Sequence, residues 1–129
     1  MPDTFSLAAA CAAAAGIFCG GVAGGFCRWL LTCLIGNQRV ATFAANMLAS
    51  FVIGVVAAVP GEWQLAVGVG FAGALSTLAL LARQLGEQLK LRHFSLAFGY
   101  AGATALGGLL AALTGVYAGM WWLGPAGQV

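Results

Sequence analysis

The sequence predicts an all-α integral membrane protein with four transmembrane helices, forming a single domain over residues 1–129. Composition gives the first reason: 62% of the residues are hydrophobic and 6% are charged, whereas a soluble domain carries about 25% charged residues. Mean hydropathy is +0.99. The second reason is that the apolar residues gather into four runs, each long enough to supply the roughly 20 residues a helix needs to cross about 30 Å of hydrocarbon. The third is charge placement. Arg39 follows the first run, and Arg83, Lys90 and Arg92 follow the third, while the N-terminus, the Pro60–Glu62 turn and the C-terminus hold no Lys or Arg. Cytoplasmic loops collect Lys and Arg, so both termini are expected outside. Trp63, Trp121 and Trp122 fall on that outer side as an aromatic belt.

The first span runs from about Ser6 to Ile35. Its lead residues carry Asp3 and no Lys or Arg, so the positive region of a signal peptide is missing and the run is kept as a span. Helices in lipid associate by close approach through small residues, and Gly16, Gly20 and Gly24 share one face as a contact seam. Arg28 ends that face. A charge within a span costs roughly 2.5 to 3.5 kcal/mol on insertion scales, which makes Arg28 a functional candidate. Cys11, Cys19, Cys27 and Cys33 lie in the same run without a close pair or a nearby histidine, and read as small apolar packing residues.

The second span, Val40 to Val59, stops at Pro60-Gly61 and carries Thr42, Asn46 and Ser50 on one helical face. Hydroxyls there are accounted for by interhelical hydrogen bonds, whereas an asparagine amide needs protein or water to receive it and offers NH donors to an anion. The third span, Trp63 to Ala82, contains Gly70-Phe71-Ala72-Gly73-Ala74-Leu75-Ser76-Thr77 near its midpoint. Periodicity leaves two alternatives for it: a helix broken at the midplane, whose freed carbonyls can coordinate a cation, or a helix that is only tightly packed. The fourth span runs from about Phe94 to Leu123 and places Tyr100, Thr104 and Gly108 on one face.

Catalysis is excluded by the inventory. The acids Asp3, Glu62 and Glu87 sit in the tail and loops, and the single His93 lies at a membrane boundary, so no nucleophile, base and orienter come together. Five basic residues spread over the boundaries form neither a patch nor a stripe, which argues against nucleic acid. The lipid bilayer is the one partner that composition implies.

Taken together, three motifs resemble the small bacterial fluoride channels of the Fluc (CrcB) family over nearly the whole chain. The Gly20 to Arg28 stretch is similar to its GGxxGxxxR opening. Thr42, Asn46, Ser50, Phe51 and Gly54 match TxxxNxxxSFxxG, and Gly70-Phe71-Ala72-Gly73-Ala74-Leu75-Ser76-Thr77 is similar to GFxGGxTT. The resemblance implies a third helix broken near the midplane, an antiparallel dimer and passive fluoride export from the cell membrane. It also implies a fluoride pathway along Asn46, Thr42, Tyr100, Thr104 and Arg28, and a structural sodium ion on the backbone carbonyls of Gly73 and Ser76. The departures matter as well. Leu78 and Leu81 stand where the family has two phenylalanines whose ring edges face fluoride, and Gly108 stands where serine is common.

The reading that follows is one subunit of a heterodimeric fluoride channel, paired with an antiparallel homologous chain. A homodimer is less favoured, because one sequence would have to insert both ways against its own charge bias. The alternatives are a non-conducting structural subunit and a small multidrug-type transporter, the latter disfavoured because such proteins need an acid in the first span and none is present.

Overall fold

The computed structural model describes residues 3–58, 61, 63–76 and 78–123, with side chains from residue 7 onward. Pro60, Glu62 and Thr77, on which the expected turn and the end of the third motif fall, lie outside the described residues. Helices α1 (Asp3–Ile35) and α2 (Gln38–Ala58) are followed by a π-helical segment (Leu65–Ala72) that passes directly into a single α turn, α3 (Gly73–Leu75). Helices α4 (Leu78–Lys90) and α5 (Phe94–Trp122) complete the chain. Four stretches are long and apolar enough to cross a membrane: Leu7–Ile35, Gln38–Ala58, Leu65–Lys90 and Phe94–Trp122. The described residues contain no strand.

Local chemistry sets the helix ends. Gly36 takes φ +69°, a left-handed conformation that closes α1 and that a side chain would oppose. Asn37 then caps α2, its Oδ1 accepting from the Arg39 N–H at 3.1 Å. At the far end of α4, the His93 N–H reaches Gln88 O at 3.0 Å and the Arg92 N–H reaches Leu89 O at 3.1 Å, the paired bonds of a Schellman turn. The residue in the left-handed position is Arg92, at φ 59°, where a non-glycine costs about 1 to 2 kcal/mol.

The third stretch departs from expectation. Helix continues past Ala82 to Lys90, so Arg83 and Lys90 are helical, and only Arg92 of the three lies in the connecting turn. Hydropathy loses sight of α4 because the segment is amphipathic: Gln84 and Gln88 face inward while Arg83 and Glu87 pair at 3.2 Å on the outside. Between α3 and α4, Ser76 is extended (φ −84°, ψ 133°).

Small residues hold the bundle together. α2 packs mainly against α5, and α1 against the π-helical segment, while α1 and α5 do not touch among the described residues. Backbones approach so closely that a Cβ on Gly20 or Gly24 would strike the carbonyls of Ala66 and Phe71. Such contact replaces the hydrophobic drive that is absent between helices in lipid. At the centre, Ala45, Ala49, Ala72 and Leu75 are buried, flanked by Cys27 and Phe71. All four cysteines are free; of those expected to pack, Cys27 does so, whereas Cys11, Cys19 and Cys33 are exposed on the single chain.

Candidate functional site

The polar face of α2 lies at the junction of α1, α3 and α4. Thr42 and Asn46 are both buried, at 5% and 8% exposure, because the four-residue spacing that puts them on one face also turns that face inward. Each has acquired a partner from the third stretch. The Ser76 hydroxyl donates to Asn46 Oδ1 at 3.0 Å, and Gln84 Nε2 donates to Thr42 Oγ1 at 3.1 Å. Thr42 in turn donates to the Gln38 carbonyl at 2.8 Å. Gln84 Oε1 accepts from the Tyr100 hydroxyl at 3.1 Å, which also lies 3.3 Å from the Arg39 carbonyl. A continuous hydrogen-bonded row, Thr42–Gln84–Tyr100, therefore links α2, α4 and α5.

Asn46 is oriented by this arrangement. Ser76 fixes its carbonyl, and the Nδ2 amine makes no hydrogen bond among the described residues. Beside it opens a cleft of about 10 Å³ lined by Arg28, Thr42, Asn46 and Leu80, at the lower limit for one water-sized occupant. Arg28 is half-buried, and its guanidinium forms no ion pair among the described residues. Arg28 and Asn46, a cation and an amide, thus line one small space, and no ion pair neutralises the arginine among the described residues.

The remaining candidates are placed less directly. Thr104 donates its hydroxyl hydrogen to the Tyr100 carbonyl at 2.8 Å, so it presents lone pairs to its surroundings and not a proton. Gly108 faces Ser50 and Met47 of α2. Leu78 is 78% exposed on the single chain. Gly16, Gly20 and Gly24 sit apart from the cleft, against the π-helical segment.

Gly73 and Ser76 bracket the end of α3. Gly73 is exposed, and a Cβ built on it would meet nothing within 4 Å. The Ser76 N–H still bonds to the Ala72 carbonyl at 2.9 Å, while Ser76 itself is extended. Among the described residues no three His, Cys, Asp or Glu gather. Backbone carbonyls are hard oxygen ligands of the type an alkali cation accepts.

Gln84 was not anticipated from the sequence. It belongs to a segment read as loop, and only the four-residue spacing to Gln88 hints that both belong to one inward helical face.

Comparison with known proteins agrees with the motifs. The profile of the family described as CrcB-like protein, Camphor Resistance (CrcB), matches residues 15–116. The chain is similar to the Corynebacterium diphtheriae protein named Fluoride-specific ion channel FluC 2, with 40% identity over 100 residues, 78% of this chain and 94% of that one. It is 32% identical over 110 residues to the Leptospira interrogans Fluoride-specific ion channel FluC, covering 76% of this chain and 87% of that one. A Listeria innocua protein, Fluoride-specific ion channel FluC 1, shares 37% over 82 residues, covering 62% and 70% respectively. By profile and by identity, this multi-pass membrane chain belongs to the CrcB family.

Proposed function

We propose that the chain is a subunit of a fluoride channel that lets the ion leave the cell passively and so lowers its toxicity. The observation that carries this reading is the unpartnered Asn46 amine beside Arg28 in a cleft of single-ion size. Fluoride is small and strongly hydrated, so crossing requires hydrogen-bond donors that replace water without trapping the ion. Asn46 supplies NH donors there, Arg28 supplies a positive field, and the Thr42–Gln84–Tyr100 row supplies hydroxyl and amide groups that can reorient along the way. Backbone carbonyls of Gly73 and Ser76 would hold a structural sodium ion at a midplane break, whose charge offsets repulsion between anions.

An antiparallel, non-identical partner completes the channel. Leu78 is exposed on the single chain, at one of two positions where aromatic edges would serve fluoride, so a partner that retains those phenylalanines supplies what is missing. The basic residues Arg39, Lys90 and Arg92 lie at the end of the bundle formed by the α1–α2 and α4–α5 connections, which favours one orientation with both termini outside. The numbered names FluC 1 and FluC 2 among the similar proteins support a family with more than one chain to a cell.

Rescue of a fluoride-sensitive bacterium tests this directly. Growth in fluoride is expected when the chain is expressed with an oppositely biased homologue and not when it is expressed alone, with cysteines added at either terminus labelled only from outside. Solo rescue, together with labelling from both faces, would contradict the heterodimer. No rescue with any such homologue would contradict the function.

A further inference from the structure

The helical partner of the Val56 carbonyl would be the N–H of Pro60, four residues on, and proline has none. Val56 is buried, at 5% exposure, so an acceptor left there without a donor would be costly. Gln64 meets it: its Nε2 donates to the Val56 carbonyl at 3.0 Å. Gln64 leads into the π-helical segment Leu65–Ala72, which runs on through α3 to Ser76, and the Ser76 hydroxyl makes the next side-chain bond to α2, on Asn46. Two rungs, Gln64–Val56 and Ser76–Asn46, thus tie the third stretch to α2.

The rungs do not enclose equal lengths of chain. Asn46 and Val56 are ten residues apart on α2, whereas Gln64 and Ser76 are twelve apart on the third stretch. As α-helix these lengths span about 15 Å and about 18 Å, so with Gln64 on Val56 an α-helical third stretch would carry Ser76 about 3 Å past Asn46. Bonding to the fifth residue instead of the fourth places more residues in each turn, and the eight π-helical residues take up that surplus. We propose that Gln64 is a positioning residue of the Asn46 site: its clamp on the Val56 carbonyl holds the π-helical winding, and the winding brings the Ser76 hydroxyl to the Asn46 amide. α1 also grips the segment, with the Gly20 and Gly24 backbones against the Ala66 and Phe71 carbonyls. That packing fixes how near the helices lie, whereas the Gln64 bond fixes where along α2 the segment begins. The clamp stands on this geometry, and its effect on flux rests on the fluoride reading.

Gln64→Met keeps the length of the side chain and removes the donor, and Gln64→Lys keeps a donor of similar reach. Each variant, assembled with the proposed partner, is compared with the wild type by fluoride efflux from liposomes, by thermal unfolding and by a map that resolves side chains. In Gln64→Met, efflux is expected to fall about tenfold, the weight of one hydrogen bond, with Ser76 drawn off Asn46 Oδ1, while Gln64→Lys keeps both as in the wild type. Combining Gln64→Met with Ser76→Ala is expected to cost no more efflux than Ser76→Ala alone, since residues that act through one another are not additive. A Gln64→Met channel with Ser76 still on Asn46 overturns the clamp. So does a Gln64→Lys channel in which Ser76 has moved, and this variant decides alone if Gln64→Met does not fold. Additive losses in the double variant, tracking the unfolding temperature, make Gln64 a structural residue and overturn its positioning role. A wild type that passes no fluoride defeats the functional reading, and the maps still decide the clamp.

Discussion

Asn46→Asp is expected to depress fluoride flux by at least about a hundredfold while leaving the protein folded. The amine that makes no hydrogen bond in the structure becomes a carboxylate oxygen, so the cleft loses the Asn46 NH donors and gains a negative charge on the proposed anion path. At about 4 Å and an effective dielectric of 20, two like charges repel by roughly 4 kcal/mol, which is more than two decades in occupancy. Arg28 lines the same cleft, and the repulsion from the new acid acts by cancelling the attraction of its positive charge. Folding survives because the Ser76 hydroxyl, which donates to Asn46 Oδ1, can donate equally to a carboxylate. Efflux measured with a fluoride electrode, alongside size-exclusion of the same preparation, checks both halves. Flux near the wild-type level would remove Asn46 from the pathway.

Gln84→Leu is the second large effect, a loss of flux of roughly tenfold or more. Gln84 is the middle member of the row, buried at 6% exposure and bonded to Thr42 on one side and Tyr100 on the other. Leucine preserves volume and cuts both links. The stability cost stays small, about 1 kcal/mol, since the Thr42 hydroxyl keeps the Gln38 carbonyl and Tyr100 keeps the Arg39 carbonyl. Flux and unfolding temperature therefore separate: a variant that unfolds readily but conducts normally when folded would make Gln84 a structural residue only.

The four membrane-spanning stretches were legible because run length alone decides whether a helix can cross a bilayer, and little else competes with that signal here. The shared face of Thr42 and Asn46 was legible for a similar reason, since a four-residue spacing fixes direction on a helix. Their partners were not. Ser76 lies 30 residues from Asn46 and Gln84 lies 42 from Thr42, and no local pattern reports contacts made across that separation. The extension of α4 to Lys90 was hidden because its buried face is built of glutamines, so a rule that equates burial with apolar residues ends the helix at Ala82. The same rule missed Gln88. The Ser76 hydroxyl that meets the Asn46 amide was missed as well, because the motif pointed to the Ser76 backbone carbonyl and not to its side chain.

Selective permeation by the reconstituted channel tests the central claim most directly. Liposomes loaded with equal fluoride and chloride, and carrying this chain with the proposed antiparallel partner, are followed by ion-selective electrodes after a potassium ionophore opens the counter-ion path. Fluoride should leave down its gradient while chloride is retained, as the fluoride-channel reading requires. Equal efflux of the two halides, or none of either above protein-free liposomes, would contradict the account.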